Sequence, residues 1–358
     1  MRYYGCKTKL LDFLSEGVTK TGINHGAVFC DLFSGTTTVA RHFKQKGYTV
    51  YANDFLEFSY SLARTYIKNN SHPSFSGLKS IVGGVNGRPS ENLSLVIEYL
   101  NRLSLKKGFV YKNYCPGGTK NLDSPRMYFT DENGMKIDAI RTKIQNWKDE
   151  DIITEDEFYI LLTSLIETIP FVANIAGNYA AYLKDWDPRA LKPIKLRVPV
   201  ILESKRKNKA FKEDANKLIR KISSDILYLD PPYNSRQYAS NYFLLELIAE
   251  GWFNGQNSEI YGKTGMRSYK DQKSAFCQKN ETLIAFEDLI NNADTKFILL
   301  SYNDEGLMSE NEITGVLSKR GKVHIFKKPH RRYRSINQDE SDRRTVYETL
   351  YFTKVSKG

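Results

Sequence analysis

Residues 225–233, DILYLDPPY, change character at Asp230. Ile226 to Leu229 is apolar throughout, as a central parallel strand covered on both faces should be. Pro231 and Pro232 then forbid helix and remove two backbone donors, so the chain leaves the strand extended with the carbonyls of the turn able to accept hydrogen bonds. In an open α/β sheet this sets Asp230 and Tyr233 at the carboxyl end of a strand, the edge at which such folds bind ligands.

The same pattern recurs on both sides. Residues 27–33 (AVFCDLF) read as a buried strand stopping at Ser34-Gly35. Residues 36–46 form a helix with Val39, Ala40 and Phe43 on one face and Gly47 as its stop, and residues 48–54 form a second strand. That is a βαβ unit. A helix over 280–291 leads into a strand at 296–302 (KFILLSY), whereas 322–328 and 345–353 are joined only by a polar, basic loop and read as an antiparallel pair at the sheet's end. From about 71 to 204 the character differs. A Gly/Ser-rich loop through Gly77, Gly83, Gly84 and Gly87 is followed by an expected turn at Asn133-Gly134. Two amphipathic helices come next, one with Ile137, Ile140, Ile144 and Trp147 on a stripe, the other running from Phe158 to Ile169 behind a Thr154/Glu157 capping box. The stretch reads as a helical insertion in an α/β domain.

With 53 basic and 41 acidic residues the 358-residue chain carries +12, and its 23 Tyr and 19 Phe add stacking surface; such a composition favours polyanions. Cys6, Cys30, Cys115 and Cys277 form no CxxC pair and have no His at ligand spacing, so neither a zinc site nor a disulfide framework is expected, and a reducing compartment fits. The opening MRYYGCKTKLLDF lacks a secretory apolar region, and no run approaches the ~18 apolar residues of a membrane span. A soluble, cytoplasmic protein, monomeric or weakly dimeric, is expected.

A carboxylate, a fixed carbonyl and an aromatic ring suit an exocyclic amine on a nucleobase. Asp230 and the Pro231 carbonyl can take its two N–H donors while Tyr233 stacks on the ring. Drawing both hydrogens toward acceptors favours the pyramidal nitrogen that attacks an electrophile, and Asp230 stabilises the charge that develops. The bland alternative is a Pro-rich turn with a surface Tyr. In the first βαβ unit, Gly35 permits close ligand approach to the loop after Asp31-Leu32-Phe33-Ser34, and Asp54 stands where a carboxylate can grip a ribose diol. No GK[ST] or G-x-G-x-x-G follows, which points to a nucleoside cofactor without a pyrophosphate. Singly, each of these is more often an ordinary polar turn or strand-end Asp.

Lys327, Lys328, His330, Arg331, Arg332, Tyr333 and Arg334, with Arg343 and Arg344, make a basic loop with an embedded Tyr, expected on a DNA backbone with Arg331, Arg332, Tyr333 and Arg334 foremost. The run 205–209 has no aromatic interleaving and reads as a solvated face. Asn174, Gly177 and Tyr179 form a polar break that packing explains as well as function does.

The order Arg2-Tyr3-Tyr4-Gly5-Cys6-Lys7, Asp31-Leu32-Phe33-Ser34-Gly35, Asn53-Asp54, a long insertion, and Asp230-Pro231-Pro232-Tyr233 resembles the Dam-like (D12, α-group) DNA adenine-N6 methyltransferases. Residues 233–238 (YNSRQY), with Asn241-Tyr242 and Leu245-Glu246, look like the subgroup that includes the FokI-type modification methylases. The resemblance implies a Rossmann-like class I methyltransferase fold, with a mostly parallel seven-stranded sheet and a reversed last strand. It implies a catalytic domain over 1–70 and 205–358, with a mainly helical target-recognition domain inserted over 71–204.

It further implies S-adenosyl-L-methionine as donor, a flipped adenine in double-stranded DNA as acceptor, and a separately encoded restriction endonuclease as an expected partner. Carried over by position, Tyr3, Lys7, Asp31, Phe33, Gly35, Asp54, Asp230 and, more weakly, Asp214 line the donor pocket, with Asp230, Pro231, Pro232 and Tyr233 catalytic. One departure stands out: Thr37 occupies the place of the family's second loop glycine. The chemistry needs neither metal nor covalent nucleophile, since alignment of the amine with a sulfonium methyl suffices. Competing readings are N4 methylation of cytosine, for which Ser in place of Asp230 would speak, and an inactive DNA-binding regulator with a methylase-like fold.

Overall fold

Seven strands build one sheet in the computed structural model, which describes residues 7–255, 259–331 and 345–356. In chain order they are β1 (Val28–Asp31), β2 (Thr49–Asn53), β3 (Lys209–Phe211), β4 (Ser223–Leu229), β5 (Asp294–Asn303), β6 (Val323–Arg331) and β7 (Thr345–Lys354). Across the sheet the order is β3-β2-β1-β4-β5-β7-β6. Strands β1 to β5 are mutually parallel, and β7 runs antiparallel to both β5 and β6. The reversed last strand expected from the sequence is therefore present, and Pro329 is accommodated because β6 is an edge. The short edge strand β3 was not foreseen.

The chain divides into two compact units: the described parts of Gly5–Ala63, Ser204–Tyr238 and Asp271–Gly358 hold the sheet, and the other comprises mainly Arg64–Glu203 and Ala239–Lys270. In the sheet unit, period-two alternation sends Cys30, Leu32, Leu227, Leu229, Ile298 and Leu300 into one core layer with Phe286, Leu289 and Ile290 of the helix Thr282–Asn292 and with Ile313 and Leu317 of the helix Glu310–Ser318. On the opposite face Phe29 stacks on Phe43 of the helix Thr38–Gln45, ring centroids 4.0 Å apart.

The second unit is helical, with Pro89–Arg102, Phe109–Tyr114, Asp131–Asp149, Glu155–Thr168 and Phe243–Glu250. The Ile137/Ile140/Ile144/Trp147 stripe is buried, and both halves of the Thr154/Glu157 capping box form. The turn expected at Asn133-Gly134 is instead the first turn of Asp131–Asp149, with the Thr130 hydroxyl accepting from the Asn133 amide at 3.2 Å. Gly134 is needed there for packing, since a Cβ would lie 2.1 Å from Cys115 Sγ. The segment Ala239–Lys270, which the sequence reading left with the sheet, belongs to this unit. Arg141 Nε donates to the Ile248 carbonyl at 2.7 Å, and Tyr114 Oη to the Gly265 carbonyl at 2.7 Å.

Candidate active site

The sheet register decides which side chains can meet. Asp31 is level with Ala52 on β2 and Tyr228 on β4, Tyr228 with Leu299 on β5, and Leu299 with Phe352 on β7, so these five share a face. Two residues further along, the period-two rule brings Asp54, Asp230 and Ser301 to the same face, and on antiparallel β7 it does so for Leu350 and Glu348. Four carboxylates from four chain segments thus converge at one end of the sheet, and the short 3-10 turn Lys7–Leu10 supplies one ammonium to them. Lys7 Nζ lies 3.1 Å from Asp230 Oδ1 and donates to Glu348 Oε1.

Burial sets the electrostatics. It pushes the Asp230 carboxyl up, with Glu348 adding and Lys7 opposing, to about 6. The Lys7 ammonium is destabilised by burial, but the Asp230 and Glu348 charges outweigh this and hold its pKa above the ordinary lysine value. Asp31 lies at the end of β1, and burial followed by the Asp230 charge holds its pKa well above the carboxylate range. Its Oδ2 accepts from the Ala40 amide at 3.1 Å, while Oδ1 is buried with no partner among the described residues. A buried acceptor without a donor is costly, and a cationic ligand would satisfy it.

The loop after β1 is held in a defined shape. Gly35 sits at φ +46° and donates its amide to Asp54 Oδ2 at 3.0 Å; Asp54 Oδ1 accepts from the Leu56 amide at 3.0 Å. Burial raises the Asp54 carboxyl to about 6 against these hydrogen bonds. Thr37, at the place of the family's second glycine, adopts φ +60°, the left-handed region glycine favours, so the loop keeps that backbone at a strain of about 1–2 kcal/mol. Phe33 lies beside this loop, half-buried, with its ring edge-on to Phe276 at 5.0 Å.

After β4, the turn is pinned from outside. The Tyr233 carbonyl accepts from the Leu307 amide at 3.1 Å and its ring meets Tyr302 edge-on at 6.4 Å. Gln237 exchanges two hydrogen bonds with the Ser274 backbone, at 2.8 and 3.1 Å. Pro231 is buried and Pro232 half-buried, so Asp230 is presented by a stiff corner.

Of the residues singled out from sequence, Lys7, Asp31 and Asp230 come together, and Gly35 joins Asp54. Asp214 is exposed and caps the helix Ala215–Leu218, accepting from the Lys217 amide at 3.1 Å; its segment is tied to β2 because Asn53 Nδ2 donates to the Glu213 carbonyl at 3.0 Å. Tyr3, Arg332, Tyr333 and Arg334 lie outside the described residues, and Arg331 is the last residue of β6. Sequence reading missed Glu348 and Ser301. The signal for Glu348 was there: in TVYETLYFT it falls in step with Leu350 and Phe352, where a buried strand should carry an apolar residue. Among the described residues no group of His, Cys, Asp and Glu is placed to hold a metal ion, and no helix is long and apolar enough to cross a membrane.

The profile of the D12 class N6 adenine-specific DNA methyltransferases matches residues 3–316. The chain is similar to the Type II methyltransferase M.FokI of Planomicrobium okeanokoites, 44% identical over 98% of this chain and 52% of that protein. To the modification methylase StsI of Streptococcus sanguinis the identity is 42%, over 98% and 51%. To the Type II methyltransferase M.NlaIII of Neisseria lactamica it is 39%, over 94% and 93%. The chain therefore spans about half the length of the first two relatives and nearly all of the third. With the family profile covering most of the sequence, and its motifs converging on one end of the sheet, the chain belongs to the D12 class N6 adenine-specific DNA methyltransferases.

Proposed function

We propose that this protein transfers a methyl group from S-adenosyl-L-methionine to N6 of an adenine turned out of double-stranded DNA at a specific sequence, within a restriction-modification system. The observation that carries the reading is the excess of buried carboxylate over ammonium around Asp230 among the described residues, where Asp31 Oδ1 has no partner. That charge balance fits a donor whose reactive centre is a sulfonium cation. When bound, the donor supplies an electrophilic methyl on a good leaving group.

The residues divide the remaining work. In this reading Asp54 binds the ribose hydroxyls, Phe33 and Gly35 flank the nucleoside, Asp31, Lys7 and Tyr3 take the amino-acid end, and Asp214 is the candidate for the donor's adenine. Asp230 accepts a hydrogen bond from the target amine and stabilises the positive charge that grows on nitrogen, and Tyr233 stacks on the extruded ring. Stacking worth ~1–3 kcal/mol, with phosphate contacts from Arg331, Arg332, Tyr333 and Arg334, offsets the few kcal/mol of extrusion. The helical unit, as the part free of donor chemistry, is the target-recognition domain. The protein acts in the cytoplasm as a monomer or weak dimer, beside a separately encoded nuclease.

Incubating the protein with radiolabelled S-adenosyl-L-methionine and plasmid DNA, then digesting to nucleosides and mapping modified positions by single-molecule sequencing, tests this directly. The expected product is N6-methyladenine at one short motif. Methylcytosine alone would reassign the base to the cytosine amine, and no incorporation would leave a DNA-binding regulator.

A further inference from the structure

Lys7 has two carboxylate partners, and only one belongs to the Pro-Pro turn. The other, Glu348, is on β7, beyond residue 316 where the family match ends. Its side chain is 6% exposed. An apolar residue there would simply continue the Leu350 and Phe352 stripe, whereas an ionised carboxylate on a sheet face is costly unless it is paired and hydrogen-bonded. Glu348 is both: Ser301 Oγ donates to its Oε1 at 2.5 Å, and Lys7 Nζ donates to the same oxygen. Asp230 meets Lys7 through Oδ1.

We propose that Glu348 is a positioning residue for methyl transfer: seated by Ser301, it holds the Lys7 ammonium against one oxygen of Asp230 and keeps the other oxygen available to the incoming amine. The inference rests on the reading of Asp230 as the group that receives that amine. Lys7 has three N–H donors and divides its charge between two carboxylates. Were Asp230 the sole counterion, the ammonium would draw its charge more fully and leave a weaker acceptor. Among the described residues the ionisable groups facing Asp230 are Lys7, Glu348, Asp31, Tyr228 and Tyr233. Removing the Glu348 charge takes away one repulsive neighbour, so Asp230 ionises more readily and is a poorer hydrogen-bond acceptor.

The test is the pH dependence of single-turnover methyl transfer by the full chain on duplex DNA, with donor affinity followed by calorimetry. Glu348→Gln, close in shape, should move the acid limb to lower pH by roughly half a unit or more and lower the plateau rate roughly tenfold. Donor affinity should change less than the rate. Glu348→Asp, which keeps the charge, should retain the wild-type limb even if its plateau falls. A Glu348→Gln limb superimposed on wild type, or a Glu348→Asp limb displaced as far as that of Glu348→Gln, would overturn the proposal. Should Glu348→Gln not fold, the Glu348→Asp limb decides. An inactive wild-type protein would instead refute the assignment of function, so the two failures are distinguishable.

Discussion

Buried charge serves opposite purposes in the two units. In the helical unit, Asp138 is fully buried and accepts from the amides of Gly108, Val110 and Tyr111 at 3.1, 2.9 and 2.8 Å. Arg126 donates to the carbonyls of Asn113, Gly262 and Lys263, and Arg141 to those of Ile248 and Ala249. Asn133 donates to the carbonyls of Ala190 and Lys192 and accepts from the Ile194 amide. These side chains substitute for the hydrogen bonds of strands and helices that the loops lack. In the sheet unit, Lys7 is shared between Asp230 and Glu348, the charge of Asp230 acts on Asp31, and one oxygen of Asp31 has no partner among the described residues. The bonds of Asp138, Arg126 and Arg141 to the backbone hold loops and helices in place, whereas the charges around Lys7 end on one another without balancing, the mark of a candidate site.

The strongest way to break that contrast is to truncate one member of each kind. Asp230→Ala should lower methyl transfer by about 10³-fold or more, the scale of losing a group aimed at developing charge. Duplex affinity should stay within a few-fold, and melting temperature should not fall, because the change relieves a carboxylate excess. Gel-shift titration, single-turnover kinetics and thermal unfolding check the three parts, and turnover equal to wild type would remove Asp230 from the chemistry. Asp138→Ala should show the reverse. Stranding three buried amides should cost about 2–4 kcal/mol of stability, seen as a lower melting temperature, with the rate per folded molecule unchanged. Lost transfer at an unchanged melting temperature would place Asp138 with the functional group and dissolve the distinction.

The same contrast explains what could be read from the sequence. The sheet unit was legible because both of its signals are local: runs such as ILYL at 226–229 announce central strands, and the residue two positions on from a strand's last inward side chain faces the site. Thus Asp31, Asp54 and Asp230 could be named in advance, and Glu348 could have been by the same parity. The helical unit was less legible. Leu93, Val96, Ile97 and Leu100 of the helix Pro89–Arg102 have helical spacing behind a Pro at the first turn, yet no helix was expected there. Asn133-Gly134 has hairpin-turn chemistry but lies in the first turn of a helix capped by Thr130, and the close approach of Cys115 Sγ that leaves no room for a Cβ at Gly134 is a tertiary fact invisible at the dipeptide. Asn174 is likewise spent on structure, donating to the Leu183 carbonyl and accepting from the Asp187 amide.

The smallest expected effect, about tenfold per pH unit, separates stability from activity by their opposite response to acid. Burial raises Asp54, Asp138 and Asp230 to about 6, above their unfolded value of ~3.9. Between about pH 6 and 4 the folded chain therefore binds these protons before the unfolded chain does, and their contribution to stability rises as pH falls. His42, pushed down by burial, pulls the other way as pH falls through the ordinary histidine range. Asp288, held down by Arg220, and Glu312, held down by the Ser309 amide, oppose the trend toward the acid end of the window, where the unfolded chain takes up their protons first. With Asp230 as the proposed acceptor of the amine, activity should fall about tenfold per unit below about pH 6. Melting temperature and kcat/KM measured from pH 7.5 to 5 should thus diverge, the first holding or rising while the second drops. If both fell together, acid would be unfolding the protein, and the raised carboxyls on which the sheet unit's site depends would not exist.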